Sequence, residues 1–377
     1  MNEEIRELIS LKQEGGYWDF KKEWHSNHTD LLHDIICFAN NLVNRDCYIV
    51  IGVDQENDYQ LTDITSDPNR KNTQNLVDFL KDKKFAGGVR PLVLVESLMI
   101  QGKTLDVIVI KNGYDTPYFL TESYQGVFKN NIYTRVMDTN TPKPSSADIN
   151  HIEYLWKKRF RMLETPLERI HYFLQKADEW DNSPLEYEDM KFYRFAPEYR
   201  IVTEADETRD GYEFYLFTQT DPRPHWYTTT LYYHQTPIES YQELSMDGGR
   251  WCAIAPKRST ICEKGDYSID SKPHYGYYIK GSLRYTLHLF LNGAENEPYE
   301  YKKYMELILV FEDEEERLGF EEYVRIKEAE YDRIFAQQKT PYLQPIPQYN
   351  MSSFEHDIKS SKTLKKMLEA YRILCRQ

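Results

Sequence analysis

The run Cys47 to Val53 (CYIVIGV) constrains the fold of this chain more than any other stretch. It is continuously apolar, it is rich in β-branched residues, and a turn-forming Asn44-Arg45-Asp46 precedes it. Such a run is typical of a central β-strand in a sheet. The first part of the chain is therefore expected to form a buried sheet around this strand.

Apolar periodicity predicts the elements that surround this strand. Helices are predicted over 3–13, from 29 or 30 to 39, over 72–81, and from 148 to about 160. Strands are predicted over 17–22, 92–100, 104–111 and 131–136. This mixture predicts a mixed α/β lobe with a core of several strands.

The later part of the chain has a different pattern. We predict a helix over 163–182, a strand-rich region over 183–312, a strand over 305–311, a helix over 313–335 and a final helix over 360–376. A chain of 377 residues is too long for one typical core. The prediction is an α+β protein with a mixed α/β domain over 1–160 and a Tyr-rich, strand-rich α+β domain over 161–377.

Charge and cysteine content limit the class of protein. The formal net charge is -14, and both parts are acidic: residues 1–155 hold 16 Lys and Arg against 23 Asp and Glu, and the remainder holds 31 against 38. This negative charge argues against a protein that coats DNA through many phosphate contacts, but an acidic protein can still have a locally basic cleft. Five widely spaced cysteines do not form a disulfide framework, and no apolar run approaches the ~18 residues of a membrane span. We therefore expect a cytoplasmic location and no membrane partner.

The segment from Glu14 to Lys21 carries the strongest chemical signal. On a strand, Asp19 and Lys21 point to one face and Phe20 points to the other. Glu14 lies just before that strand, and Asp54 follows the strand that ends at Val53. Such carboxylates can hold Mg²⁺ or Mn²⁺, which can activate a water for phosphodiester cleavage, and a lysine can offset phosphate charge. The alternative is that each is a solvated surface charge.

Other residues give weaker signals, each with a structural alternative. His25, His28 and His33 could bind a transition metal but are more often surface or helix residues. Two basic clusters could contact phosphate groups, or they could be solvated helix ends whose positive charge suits the helix dipole. Their members are Lys81, Lys83, Lys84, Lys157, Lys158 and Arg159. Arg135 is a further candidate for a phosphate contact. The 31 tyrosines are typical of strands, with a stacking platform for unpaired bases as the rarer interpretation.

Several short motifs occur in an order that resembles the Schlafen AlbA-like family over about residues 5–160. In order, they are Glu14-x4-Asp19-Phe20-Lys21, Phe38-Ala39-Asn40, Ile51-Gly52-Val53-Asp54, Pro117-Tyr118, Ile132-Tyr133-Thr134-Arg135 and Trp156-x2-Arg159-Phe160. Two features depart from the family pattern. Asp19 stands where a Glu is usual, and 41–46 replaces a Gly-Gly turn.

The resemblance implies a function. In nuclease members of the family, the corresponding acids bind a metal and cleave structured RNA, which nominates Glu14, Asp19 and Asp54 as metal ligands and Lys21 as their support. It also implies an RNA substrate such as tRNA, with DNA as an alternative, a homodimer around the substrate, and by analogy a role in anti-phage defence. The rival hypothesis is a nucleic-acid-binding regulator without catalysis. A nucleotide-sensing protein is a third class, but the sequence has no G-x4-G-K-[ST] phosphate loop.

Overall fold

The structure is a computed structural model that describes residues 1–184, 189–246, 248–261, 273–292 and 299–375. The chain divides into two compact units, Met1–Leu163 (unit 1) and Glu164–Gln377 (unit 2). Both units combine helices with largely antiparallel sheets, which confirms the predicted α+β class. In the described parts of the chain, no helix is both long enough and apolar enough to cross a lipid bilayer.

Unit 1 is built on a four-stranded sheet in the order β1-β2-β6-β5. Strands β1 and β2 are parallel, and the other neighbours are antiparallel. The strands of this unit are β1 Trp18–Lys21, β2 Cys47–Ile51, β3 Val53–Asp54, β4 Gln60–Leu61, β5 Val93–Ile100, β6 Lys103–Ile110, β7 Arg135–Val136 and β8 Thr139–Asn140. Its helices are α1 Asn2–Ser10, α2 His28–Ala39, α3 Thr73–Lys81 and α4 Ile149–Arg159.

The predicted central strand is the strand β2, in which all five residues are buried. One face of the sheet packs on α2 through Ile35, Ile49 and Ile108, and the other packs on α1 through Ile5 and Val50. Burial of branched apolar side chains on both faces stabilises this strand by roughly 1.5–3 kcal/mol per side chain. This is why the run Cys47 to Val53 is apolar without alternation.

Unit 2 contains a six-stranded antiparallel sheet in the order β14-β13-β12-β11-β10-β9 and a smaller sheet in the order β15-β16-β17. Its strands are β9 Trp180–Asn182, β10 Met190–Tyr193, β11 Ala196–Ala205, β12 His225–Tyr233, β13 Thr236–Met246, β14 Trp251–Ile254, β15 Lys257–Thr260, β16 His274–Ile279 and β17 Ile308–Phe311. Its helices are α5 Pro166–Leu174, α6 Leu283–Asn292, α7 Tyr299–Met305, α8 Glu314–Ile326, α9 Glu328–Ala336 and α10 Met351–Cys375.

Several tyrosines of unit 2 lie in its cores rather than on a stacking surface. Tyr199, Tyr215, Tyr275, Tyr278 and Tyr304 are each no more than 2% exposed. Large aromatic side chains contribute much apolar area to a core, and a buried hydroxyl needs a partner. The hydroxyl groups of Tyr278 and Tyr304 hydrogen-bond each other at 2.7 Å.

Four predicted elements differ from the observed ones. The final helix, predicted over 360–376, already begins at Met351. The predicted helix over 163–182 ends at Leu174, and a 3₁₀ turn and strand β9 follow it. The predicted helix over 313–335 is two helices that meet at Lys327. The predicted strand over 131–136 is a strand only at Arg135–Val136, because the N–H groups of Ile132 and Thr134 donate to the side chains of Ser146 and Thr141 instead of to a neighbouring strand.

Candidate functional site

Strand β1 presents an acid and a base on one face, as its alternation predicts. Phe20 is 1% exposed and packs in the core, and Asp19 on the opposite face is 2% exposed. The Lys21 ammonium group donates a hydrogen bond to Asp19 Oδ2. The strand therefore places Asp19 and Lys21 in direct contact.

Glu14 joins this pair from the segment before the strand. Its Oε1 accepts a hydrogen bond from the Phe20 backbone N–H at 3.1 Å and another from the Gln55 side chain. These contacts tie Glu14 to β1 and to the residue that follows Asp54. Glu14, Asp19 and Lys21 are thus brought together in the structure.

Arg135 lies at the centre of the acid cluster. Its Nη2 donates to Glu14 Oε2 at 3.0 Å and to Asp19 Oδ1 at 3.2 Å. Its Nε donates to the Gly15 carbonyl at 2.9 Å and its Nη1 to Asn140 Oδ1 at 3.1 Å. The side chain is 3% exposed, and its guanidinium carbon is 4.8 Å from the centre of the Phe38 ring. Sequence analysis nominated Arg135 as a phosphate contact, but here its donors bond within the protein.

In the acid cluster (Glu14, Asp19, Lys21 and Arg135), the pKa values of the two acids shift in opposite directions. Burial, together with the hydrogen bond and negative charge of Asp19, raises the pKa of Glu14 to about 7. Burial alone would also raise the pKa of Asp19, but the hydrogen bond from Glu14 and the charges of Lys21 and Arg135 outweigh it and lower that pKa. Near neutral pH the pair therefore shares a proton, with Asp19 as the ionised member.

Asp54 takes part in a different contact. Its Oδ2 lies 2.8 Å from the Nζ of Lys22, an exposed residue that follows β1. In the described residues, no group of three or more Asp, Glu, His or Cys side chains is arranged to hold a metal ion. The three nominated metal ligands thus do not form one ligand set.

The acid cluster was also tested for its fit to Mg²⁺ or Mn²⁺, which require oxygen ligands. All four carboxylate oxygens of Glu14 and Asp19 accept hydrogen bonds from Phe20, Gln55, Lys21 or Arg135. Two cationic side chains, Lys21 and Arg135, already lie against these acids. In this arrangement the residues do not fit a hard divalent cation.

The three histidines lie in separate contacts. His25 Nε2 is 2.9 Å from Asp34 Oδ2, His33 Nε2 is 2.9 Å from the Thr141 carbonyl, and the His28 ring packs 5.4 Å from the Phe79 ring. Asp34 also accepts a hydrogen bond from Asn140, which itself binds Arg135. His25 and Asp34 thus extend the support around Arg135.

The basic cluster at the end of α4 anchors that helix. Lys158 is 1% exposed, its ammonium group donates to Asn112 Oδ1 at 2.6 Å, and burial lowers its pKa to about 8. Arg159 donates to the Asp115 carbonyl at 2.7 Å, and Lys157 pairs with Glu153 at 2.6 Å. These contacts match the structural alternative for this cluster, with Lys157 the most exposed of the three to solvent.

The basic cluster at the end of α3 lies beside two half-buried aromatic rings. The Lys83 ammonium group is 4.4 Å from the Phe79 ring centre and 4.2 Å from the Tyr124 ring centre. The two rings are half-buried and meet edge to face at 6.3 Å. Lys81 and Lys84 are exposed on either side of Lys83. We call Phe79, Tyr124, Lys81, Lys83 and Lys84 the aromatic–lysine patch.

Backbone hydrogen bonds hold the two segments of this patch together. Ala86 N–H donates to the Phe119 carbonyl at 3.0 Å, and Thr121 N–H donates to the Lys84 carbonyl at 2.8 Å. A tight turn then joins Tyr124 to Val127 and leads to the exposed Phe128 and Lys129. Asp82 and Glu122 are exposed in the same segments, so the positive charge is partly offset.

Sequence analysis missed Phe79 and Tyr124, which lie 45 positions apart in the chain. A signal was available for Phe79, because an aromatic residue four positions before Lys83 is close enough for a cation–π contact. Nothing in the sequence linked Tyr124 to that helix.

Comparison with known proteins supports the family resemblance. Residues 14–144 match the sequence model of the family described as Schlafen, AlbA_2. This match confirms the resemblance of that segment of unit 1 to the Schlafen AlbA_2 family, a family that suggests nucleic-acid binding. No curated protein matches the chain.

One solved structure that aligns with the chain is a solution NMR structure from Nitrosomonas europaea. It is the N-terminal domain of a protein related to the DNA helicase RecG, with 17% sequence identity and a TM-score of 0.27. The alignment covers 37% of this chain and 91% of that one. A TM-score this low supports no argument about fold or function.

Proposed function

We propose that unit 1 is a nucleic-acid-binding module that holds RNA through the aromatic–lysine patch. The observation that carries this proposal is the Lys83 ammonium group between the Phe79 and Tyr124 rings, with Lys81 and Lys84 exposed beside it. Ammonium groups attract phosphates, and aromatic side chains stack on unpaired bases. Unpaired RNA bases are the usual targets of such rings, so RNA with single-stranded loops is the proposed ligand.

The acid cluster has a structural role in this proposal. Arg135 joins the segment of Glu14, strand β1 and the β7–β8 hairpin through buried hydrogen bonds. A buried guanidinium bound to two carboxylates fixes geometry well, because its donors form a rigid planar fork. The cluster would thus hold the scaffold on which the patch is displayed.

Equilibrium binding tests the proposal. Fluorescence anisotropy would compare tRNA, an unstructured RNA, single-stranded DNA of the same sequence and duplex DNA over a range of salt concentrations. The triple variant Lys81→Gln, Lys83→Gln, Lys84→Gln should bind RNA more weakly, and each lost phosphate contact should reduce the slope of log K against log salt by about 0.7. Lys157→Gln is the matched control, since Lys157 is an exposed lysine of unit 1 outside the patch. Equal loss in the control, or unchanged RNA binding by the triple variant, would refute the patch.

A second candidate function is divalent-metal-dependent cleavage of structured RNA such as tRNA, with anti-phage defence as its use. The observation that favours it is the adjacency of Glu14 and Asp19, whose mutual repulsion contributes to the raised pKa of Glu14. Unequal pKa values in paired acids are common where acid–base chemistry occurs. Cleavage would require Asp54 to leave Lys22 and the cluster oxygens to leave their present donors.

Cleavage of tRNA with Mg²⁺, Mn²⁺ or EDTA separates the two candidates. Metal-dependent cutting by the wild type that is lost in both Asp19→Asn and Asp54→Asn would replace the binding proposal with the nuclease. RNA binding without cutting by any of the three proteins would support the binding module. Sedimentation with and without RNA would test the homodimer that the family resemblance implies.

A further inference from the structure

Unit 2 contains a cavity of about 650 Å³ that the proposed function does not use. Helices α6, α7 and α10 supply most of its walls. Tyrosine rings line it together with four lysines; these residues are Tyr285, Tyr301, Lys302, Lys362, Lys365 and Lys366. Small-molecule sites typically have volumes of about 300–1,000 Å³, so the cavity is large enough for a ligand of nucleotide size.

The lysines form a concentrated positive wall. Lys362, Lys365 and Lys366 follow a spacing of three and four residues on α10, which places them on one helix face. Lys302 on α7 adds the fourth ammonium group. Among the described residues, none of these four lysines forms an ion pair with a carboxylate. Two acids, Glu306 and Glu369, line the same cavity. Among the described lining residues, positive charge is therefore in excess.

Lys365 is the most enclosed of the four. Its ammonium group donates to the carbonyl groups of Met305 at 2.9 Å and Ile308 at 2.7 Å. An ammonium group has three donors, so one remains for a ligand. Burial lowers the pKa of Lys365, and the nearby carboxylates of Glu369 and Glu306 offset only part of that effect. A bound anion would offset more of it.

Both tyrosine rings pack against a buried histidine; Tyr301 is itself buried in the core, and Tyr285 is half-buried. The buried His288 ring lies nearly parallel to the Tyr285 and Tyr301 rings, at 19° to each, with ring centres 6.3 and 5.7 Å away. Its imidazole has a lowered pKa because of burial and therefore packs as a neutral ring. A preorganised aromatic wall can contact a planar base at little entropic cost.

We propose that this cavity binds a nucleoside di- or triphosphate, with its phosphates on the lysines and its base against Tyr285. The negative charge of such a ligand complements the excess positive charge of the lining, and its two chemical parts match the two kinds of wall. Because the sequence has no glycine-rich phosphate loop, side-chain ammonium groups would replace the backbone amides of that loop. This proposal does not depend on RNA binding by unit 1.

Isothermal titration of the full chain with ATP, ADP, adenosine and inorganic tripolyphosphate tests the proposal. ATP and ADP should bind, and adenosine and tripolyphosphate should bind at least about tenfold more weakly, because each has only one of the two recognised parts. No binding of ATP or ADP at millimolar concentration would overturn the proposal. Tripolyphosphate binding as tight as that of ATP would overturn base recognition.

Matched variants locate the site. Lys302→Gln with Lys366→Gln should weaken ATP binding by about tenfold to a hundredfold, the effect of losing a charge-assisted hydrogen bond. The control pair is Lys303→Gln with Lys359→Gln, which lie on the same two helices but do not line the cavity. Equal weakening in both pairs would refute the site. Circular dichroism and thermal melting must match the wild type in both.

Discussion

Arg135 determines the geometry of the acid cluster. Its guanidinium group makes four hydrogen bonds to residues from three segments, and almost none of it contacts solvent. This explains the Ile132-Tyr-Thr-Arg135 motif in physical terms, since no other side chain has donors in this arrangement. The Asn40 side chain has a similar role, because it bonds to the backbone of Tyr118 and to the Tyr133 carbonyl. Both motif residues hold chain segments together.

Arg135→Lys should therefore destabilise unit 1 while leaving its RNA affinity unchanged. A lysine keeps the charge but cannot reproduce the planar fork, so the free energy of unfolding should fall by about 2 kcal/mol or more. Urea denaturation measures this, and the exposed Arg90→Lys serves as control. Wild-type stability combined with lost RNA binding would mean that Arg135 contacts RNA.

The raised pKa of Glu14 predicts a pH dependence of stability. The pKa of Glu14 rises from 4.5 to about 7 on folding. Between these two pH values, the folded state therefore keeps a proton that the unfolded state has lost. The contribution of this protonated carboxyl group to stability is fully present below the pKa of Glu14 in the unfolded state. It is lost as the pH rises through the pKa of Glu14 in the folded state. Asp19, whose pKa is lowered, stays ionised throughout this window.

Glu14→Gln should flatten that dependence. Between about pH 5 and 8, the free energy of unfolding of the wild type should fall relative to that of the variant by on the order of 1–3 kcal/mol. Urea unfolding of both proteins across this pH range measures the difference between their free energies of unfolding. The histidines titrate in both proteins, so their contributions cancel in this difference. Parallel curves for the two proteins would show that Glu14 is ionised in the folded state.

At the scale of elements, Gly52 sets the path of the chain after β2. Its φ of +106° favours glycine, and a Cβ there would lie 2.8 Å from the Thr62 carbonyl oxygen. Its N–H donates to the Lys21 carbonyl at 2.7 Å and its carbonyl accepts from Thr62 at 2.8 Å. This bend leads into β3, where Asp54 meets Lys22.

Gly52→Ala should cost more than about 2 kcal/mol of unfolding free energy, since strain and a backbone clash act together. The control is Gly102→Ala in the β5–β6 turn. Gly102 also has a positive φ, of +74°, but its Cβ would meet nothing within 4 Å, so only about 1 kcal/mol should be lost. If the two variants lose equal amounts of unfolding free energy, measured by thermal or urea unfolding, the backbone near Thr62 must shift to accommodate the Cβ at position 52.

Sequence reasoning predicted the elements whose hydrogen bonds and burial are local or periodic. The apolar run at β2, the β5–β6 hairpin and the alternation that places Asp19 beside Lys21 are of this kind. Elements that depend on distant partners were not predictable. The segment 131–134 has apolar character but bonds to side chains, and the break at Lys327 between α8 and α9 has no proline or glycine to mark it.

The acid cluster shows the same limit. Glu14, Asp19 and Lys21 lie within eight positions of the chain and could be grouped from the sequence. Arg135 is 121 positions from Glu14, and only the fold reveals that it lies between the two acids. Asp54 was expected with those acids because it ends a neighbouring strand, but the bend at Gly52 leads to a contact with Lys22.

For the whole molecule, net charge gives little guidance about nucleic acid. The chain carries a formal charge of -14, shared about equally by its two parts, so general attraction to phosphate is absent. The proposed RNA binding would therefore come from a local surface with few cationic contacts. The affinity for RNA should accordingly fall with salt less steeply than that of a highly basic protein.

The central claim is that RNA lies on the aromatic–lysine patch. Photochemical cross-linking of bound RNA to the full chain, followed by mass spectrometry of the peptides, tests this most directly. The account predicts cross-links at Phe79 or Tyr124 and in the adjoining segments 79–84 and 124–129, lost in the triple Lys→Gln variant. Cross-links confined to the segment 14–21 or to unit 2 would contradict it.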